Sequence, residues 1–167
     1  MSDAYMQIDG VKGQSVDADH KDWIDIIGYV HNLSQPINNA SAGSAGRRAQ
    51  GRAQWEELVI TKQQDSASPD LAHLCAAGNY IKKVEIKLMG AGGAGKDKRT
   101  NFMKIILEDV YVAKFESRLE PSKGDRPIED IHLNFGKIKW QFTPDRLGAA
   151  SAPLIKGWNR DENKDNS

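Results

Sequence analysis

The stretch Gly90-Ala91-Gly92-Gly93-Ala94-Gly95-Lys96 carries the chain's strongest suggestion of chemistry. Three spaced glycines match a dinucleotide fingerprint, and Gly90, Gly95 and Lys96 nearly match a phosphate loop. Both motifs work only where the glycines lead from a strand into a helix whose first amides hold the phosphate. Residues Phe102 to Phe115 follow instead, alternating like a strand. Asp97 occupies the place of the magnesium-binding Ser or Thr, where an acid repels phosphate. The segment therefore reads as a hairpin connection.

The acids Glu56-Glu57, Glu108-Asp109 and Glu129-Asp130 form three adjacent pairs. Two-carboxylate catalysis needs both groups on one substrate, whereas neighbours on a strand point to opposite faces. These pairs read as solvated surface charge. His20, His31, His73 and His132 show no metal-ligand spacing, and no Gly-x-Ser-x-Gly turn exists. The single cysteine, Cys75, excludes an internal disulfide and reads as packing. Arg47, Arg48 and Arg52 have no aromatic residue among them to stack a base, so they read as a basic contact loop. No enzyme, no cofactor and no metal is expected.

The elements that must position these residues follow a period of two. Tyr80, Val84, Ile86 and Leu88 alternate with Lys83, Glu85 and Lys87, which predicts a half-buried strand. Leu58 and Ile60 share a face within Trp55–Lys62, and Tyr5–Ile8 is a short opening strand. Trp23–Val30 and Phe102–Phe115 are apolar on both faces, so both should be covered, by the helix or by a neighbouring subunit. In Ile128–Phe142 the apolar positions change from odd to even at Gly136, which predicts a β-bulge there. One helix is signalled. Ser68 should cap it, Pro69 and Asp70 suit its first turn, Gly78 stops it, and Leu71, Leu74 and Cys75 form its apolar stripe.

Ser34–Gln54, Ser117–Pro127 and Ala149–Ser167 show no useful period; Gly157 and Trp158 are the anchor candidates of the last. The pattern gives a fold that is mainly β and mostly antiparallel, with one short helix and one long extended loop. Residues 1–157 read as a single domain, with 158–167 a tail expected to be flexible.

Lysine plus arginine number 23 against 23 acids, which disfavours a nucleic-acid coat. The balance is uneven along the chain. Residues 1–33 hold six aspartates and two lysines; residues 34–54 hold three arginines and no acid. Such complementary patches suit head-to-tail self-association. No stretch approaches the ~18 apolar residues of a membrane span. The opening Met1-Ser2-Asp3-Ala4 lacks an apolar signal core, so synthesis in the cytoplasm is expected, with any export free of a cleaved signal. A monomeric β-barrel binding a small ligand is the alternative.

Seven pieces in order resemble the haemolysin-coregulated protein (Hcp) family of type VI secretion. They are Met6-Gln7-Ile8-Asp9-Gly10-Val11-Lys12-Gly13; His20-Lys21-Asp22-Trp23-Ile24; Leu33-Ser34-Gln35-Pro36; Ile60-Thr61-Lys62 with Asp65 and Ser68-Pro69-Asp70-Leu71; Leu107-Glu108-Asp109-Val110-Tyr111-Val112; Leu133-Asn134-Phe135; and Gly157-Trp158-Asn159. The resemblance implies an antiparallel, β-barrel-like domain of two packed sheets with a flanking helix, assembled as hexameric rings that stack into a hollow tube, driven by a sheath and carrying a spike and effectors. It implies export of the protein itself and shelter for effectors in the ring, with no enzymatic activity. On that basis Trp23, Ile27, Tyr29, Ile106, Val110 and Val112 are expected at lateral contacts, each apolar burial contributing ~1.5–3 kcal/mol. Arg47, Arg48 and Arg52 are expected to stack one ring on the acidic opening of the next.

Overall fold

The computed structural model describes residues 3–38, 49–90, 100–119, 126–144 and 152–167. Along the chain run β1 (Asp3–Ile8), β2 (Ile24–Asp25), β3 (Gly28–Val30), β4 (Leu33–Ser34), β5 (Ile37–Asn38), β6 (Ala49–Gln50), β7 (Gln54–Trp55) and β8 (Leu58–Gln63). After these come α1 (Ser68–Ala77), β9 (Ile81–Gly90), β10 (Thr100–Arg118), β11 (Ile128–Phe142), β12 (Leu154–Asn159) and β13 (Lys164–Asp165).

Every pairing is antiparallel. The main order is β13-β12-β11-β10-β9-β1-β2, and β8 joins β11 to β3. One edge of β11 therefore serves two neighbours. Its first half, Ile128–Leu133, pairs with β8; its second half, Lys137–Phe142, pairs with β12. The network forks at residues 134–136 into two leaves. The leaves share one core, with Leu58, Ile60, Ile131 and Leu133 in the same cluster as Met6, Ile8, Val84 and Ile86. The expected mainly β, two-sheet architecture is present, and its barrel does not close.

A bend crosses three strands at the fork. Asp109 has a positive φ of 56° inside β10. It lies between the pairs Glu108–Lys137 and Val110–Phe135, opposite Gly136, and between Glu108–Lys83 and Val110–Ile81, opposite Lys82. A left-handed residue in a strand re-aims the side chains that follow. The buried set accordingly changes parity in step: Ile86 and Val84 against Ile81, Ile105 and Leu107 against Val110, Ile138 against Phe135. A Cβ at Gly136 would lie 3.1 Å from the Asp109 Cβ, tight enough that its neighbour would have to shift by a few tenths of an ångström, so glycine suits this close approach.

This corrects the bulge expected at Gly136. The β10–β11 register runs unbroken past it, and the extra residue is Ala113, between Val112–Leu133 and Lys114–His132. It also explains the two-faced reading of Phe102–Phe115, where one buried face changes parity midway.

The helix begins and ends differently from expectation at one end only. Ala67 is the N-cap and makes no side-chain cap. The Asp65 carboxylate accepts from the Ala67 amide at 2.9 Å, while the Ser68 hydroxyl turns inward and donates to Glu129 at 2.7 Å. Pro69 lies in the first turn, and Gly78 ends the helix at φ 64°, as expected. Leu71 is buried, with Leu74 and Cys75 packed on the core.

Beneath the helix start, the Lys62 ammonium is fully enclosed. It lies 2.8 Å from both the Glu129 and Asp65 carboxylates, 3.1 Å from the Ser68 hydroxyl and 2.9 Å from the Gln63 carbonyl. Glu129 is therefore a core residue, which corrects its reading as surface charge. Its neighbour Asp130 points the other way, to Thr61 and Arg118.

Candidate interaction surfaces

The segment 34–54 is a two-stranded ribbon within its described residues. Leu33 and Ser34 pair with Trp55 and Gln54; Ile37 and Asn38 pair with Gln50 and Ala49. The Gly51 amide closes on the Pro36 carbonyl at 3.0 Å. The ribbon's root is tied by Asn32, whose carbonyl accepts the Glu56 amide and whose side chain donates to the Glu56 carboxylate. Backbone pairing formed this arm without any apolar alternation, so the period search missed it. Arg47 and Arg48 lie outside the described residues. Arg52 is at the arm's base, where it donates to the Arg160 carbonyl.

The residues expected at lateral contacts scatter. Ile27 is well exposed beside β3; Tyr29 is partly covered within it; Trp23 is half-buried between Lys87, at 4.5 Å, and His20. Ile106 is half-buried on β10. Val110 and Val112 are sealed in the core of their own subunit, because the bend at Asp109 turns even positions inward. They have no surface to give a neighbour, and that expectation is corrected.

Other apolar side chains are exposed in their place. Ile27, Val30, Leu33 and Ile37 run from β3 into the arm, and among the described residues β3 pairs only with β8. At the far end of the sheet, Leu154 pairs with Phe142, and both are exposed, as is Ile155. The segment read as a tail from residue 158 contains the end of β12 and all of β13, with Trp158 packed on the core and Gly157 buried.

At the arm's base, on the bend line, is a cavity of about 520 Å³ lined by Arg52, Trp55, Tyr80, Tyr111, Phe135 and Arg160, with Asp109 and Asp161. Arg160 leaves β12 next to Gly136, whose carbonyl accepts its amide at 2.8 Å. Its guanidinium lies over Phe135 at 4.8 Å and Trp55 at 5.8 Å and donates to the Phe135 carbonyl at 2.6 Å. Burial lowers its pKa, Asp161 opposing that and Arg52 adding to it. Tyr80 donates to Asp109 at 2.7 Å, which lowers the carboxyl pKa and raises the phenol's; Lys137 is 3.4 Å away.

His31 forms an aromatic box at the arm root, with ring centroids 6.2 Å from Trp55, 5.9 Å from Trp140 and 6.3 Å from Phe135. Among the described residues neither ring nitrogen has a hydrogen-bond partner, and burial lowers its pKa.

Catalytic arrangements find no support. The glycine motif follows β9 and precedes an antiparallel β10, not a helix; its residues 91–96 lie outside the described ones, as do 120–125 of the polar connection. Among the described residues no three His, Cys, Asp or Glu side chains group to hold a metal, and no helix is long and apolar enough to cross a membrane.

The family described as "Type VI secretion system effector, Hcp" matches residues 5–142. Protein hcp1 of Pseudomonas aeruginosa is 26% identical over 163 residues, covering 96% of either chain. The Major exported protein of the same organism is also 26% identical, over 156 residues, 82% of this chain and 87% of that one. A solved type six secretion system protein superposes with a TM-score of 0.88 at 26% identity, over 99% of this chain and 100% of that one. Hcp1 from Salmonella typhimurium shares the fold, with a TM-score of 0.78 at 22% identity over 99% of each. With the order of motifs, the forked sheet and the arm all in place, the chain belongs to the Hcp family of type VI secretion.

Proposed function

We propose that this chain is a structural subunit of the type VI inner tube, forming hexameric rings that stack, travel out of the cell and shelter effectors in the ring. The observation that carries the reading is the exposed apolar run Ile27, Val30, Leu33 and Ile37 on an edge strand and its arm. Exposed apolar side chains grouped in this way suit burial against a second copy of the chain. A second exposed group, Phe142, Leu154 and Ile155, lies at the other end of the sheet. Unlike surfaces at two ends of one molecule suit a head-to-tail ring.

Residues 1–157 would form the tube domain, and the end of β12 with β13 extends its sheet beyond residue 157. Sheath, spike and effector proteins are the partners; nucleic acid and membrane insertion are not part of this role. Trp23, Ile27, Tyr29 and Ile106 remain lateral-contact assignments. Arg47, Arg48 and Arg52 remain assigned to ring stacking, a polar contact that salt weakens. Made in the cytoplasm, the protein would leave the cell through the apparatus. The test is sedimentation with negative-stain microscopy. The tube reading predicts rings of six times 18.5 kDa, whereas a monomeric ligand-binding barrel sediments at 18.5 kDa. Changing Arg47, Arg48 and Arg52 to Glu should abolish stacking at low salt.

A further inference from the structure

The arm-base cavity contains more positive charge than its own molecule satisfies. Arg52 and Arg160 each donate to a backbone carbonyl, and neither makes an ion pair among the described residues. Of the two described lining acids, Asp109 is occupied by Tyr80 and Lys137, and Asp161 acts on Arg160 without closing to an ion pair. The rest of the wall is aromatic: Trp55, Tyr80, Tyr111 and Phe135. Such a site fits a carboxylate carried beside a small apolar group.

The same chain presents that combination elsewhere. Between β1 and β2, residues 13–23 form a tied loop. Gly13 donates to the Asp22 carbonyl at 2.9 Å, Asp22 to Ser15 at 3.0 Å and Ser15 to Trp23 at 3.0 Å. His20, buried, stacks flat on Tyr5 at 4.4 Å and pins the loop from beneath. On this fixed base Val16 stands 95% exposed, with Asp19 and Asp22 exposed nearby. A loop fixed before contact loses little entropy on docking.

The loop is tied to β1 and β2 at one edge of the sheet; the cavity lies at β10, β11 and the end of β12, with β9 between. One molecule's loop is thus distant from its own cavity. We infer that the arm-base cavity is a socket for the Val16–Asp22 loop of a second copy, Asp19 and Asp22 meeting Arg52 and Arg160 while Val16 enters among the rings. The contact is heterologous, so it propagates from copy to copy. Its place at the arm's base assigns it to ring-on-ring stacking, and in that respect it rests on the tube reading.

The experiment reverses charge on the exposed loop and then restores it; because Asp22 has a φ of 63°, Asp19→Arg alone stands in should the double variant not fold. Asp19→Arg with Asp22→Arg should leave rings at six times 18.5 kDa but weaken their stacking at low salt by about tenfold or more, read as tube length by negative-stain microscopy. Arg52→Glu should do the same, and joining it to the loop reversals should recover stacking. Rings whose stacking ignores the reversals, or a combination that fails to recover, overturn the socket while leaving the tube reading intact. A wild-type protein that sediments as a monomer overturns the tube reading itself. The socket is then judged by a Val16→Cys, Tyr111→Cys, Cys75→Ser variant, which must form disulfide-linked copies under mild oxidation. Absence of that link overturns it.

Discussion

Two cations, Lys62 and Arg160, are taken out of water by opposite means. The Lys62 ammonium has no exposed surface and is matched by two carboxylates, a hydroxyl and a carbonyl, drawn from β8, the turn before α1, the helix itself and β11. Arg160 lies on two aromatic faces, bonds one carbonyl and opens on a cavity. The first arrangement joins elements far apart in sequence and leaves the cation nothing further to bind. The second keeps charge available at the surface. Saturation marks the cation that holds the fold, and incomplete pairing marks the one suited to meeting another molecule.

The strongest way to break this contrast is to orphan Lys62. Glu129→Ala should destabilise by ~3–5 kcal/mol, because the ammonium stays buried with one carboxylate fewer. Thermal unfolding should fall by about 10 °C. Joining Lys62→Met to Glu129→Leu and Asp65→Asn should recover most of that loss, since no charge is then left buried without its partner. Arg160→Met should cost only ~1 kcal/mol of folding stability by the same measurement, yet reduce stacking as much as the loop reversals do. Equal stability losses at the two sites would erase the distinction.

Salt sharpens the contrast further. Raising ionic strength from 0.1 to 1 M shortens the screening length from about 10 to 3 Å. Light scattering should report loss of stacked tubes, while the unfolding midpoint barely moves, because the Lys62 cluster is sealed. The smallest effect belongs to His31. Burial lowers its pKa, so the unfolded chain takes up the proton first. Stability therefore rises with pH between the lowered folded value and about 6.5, and it is lost as pH falls through that window. The Asp130 and Glu85 pKa values are also lowered: burial raises each, but Thr61 and Arg118, or Lys104 and Lys83, outweigh it. Their contribution is lost only at more acidic pH. His31→Phe should flatten the unfolding profile just below 6.5 and leave the acid limb unchanged.

Much of this molecule was legible in its residues. The strand in Tyr80–Met89, the helix start at Pro69 and its stop at Gly78 are local signals that the structure follows in β9 and α1, although Tyr80 is exposed and Glu85 buried against the alternation. The parity change at Gly136 was also visible, but its cause was not. It arises from Asp109, 27 residues earlier, whose positive φ no pattern in an Asp-containing strand announces. Glu129 looks like surface charge because its partner Lys62 is 67 residues away, and pairing at that distance leaves no period. The arm and β12–β13 are held by backbone hydrogen bonds, which any composition can make. The cavity escaped for a similar reason: Arg52, Trp55, Tyr80, Asp109 and Arg160 are brought together only when the sheet bends.

The central claim is that this subunit keeps unsatisfied surface for its own copies, and sedimentation velocity of the purified protein at low salt tests it most directly. The account predicts a species of six times 18.5 kDa, extending to larger stacks that dissolve to the ring as salt rises. A single boundary at 18.5 kDa, unchanged with concentration and salt, would contradict it.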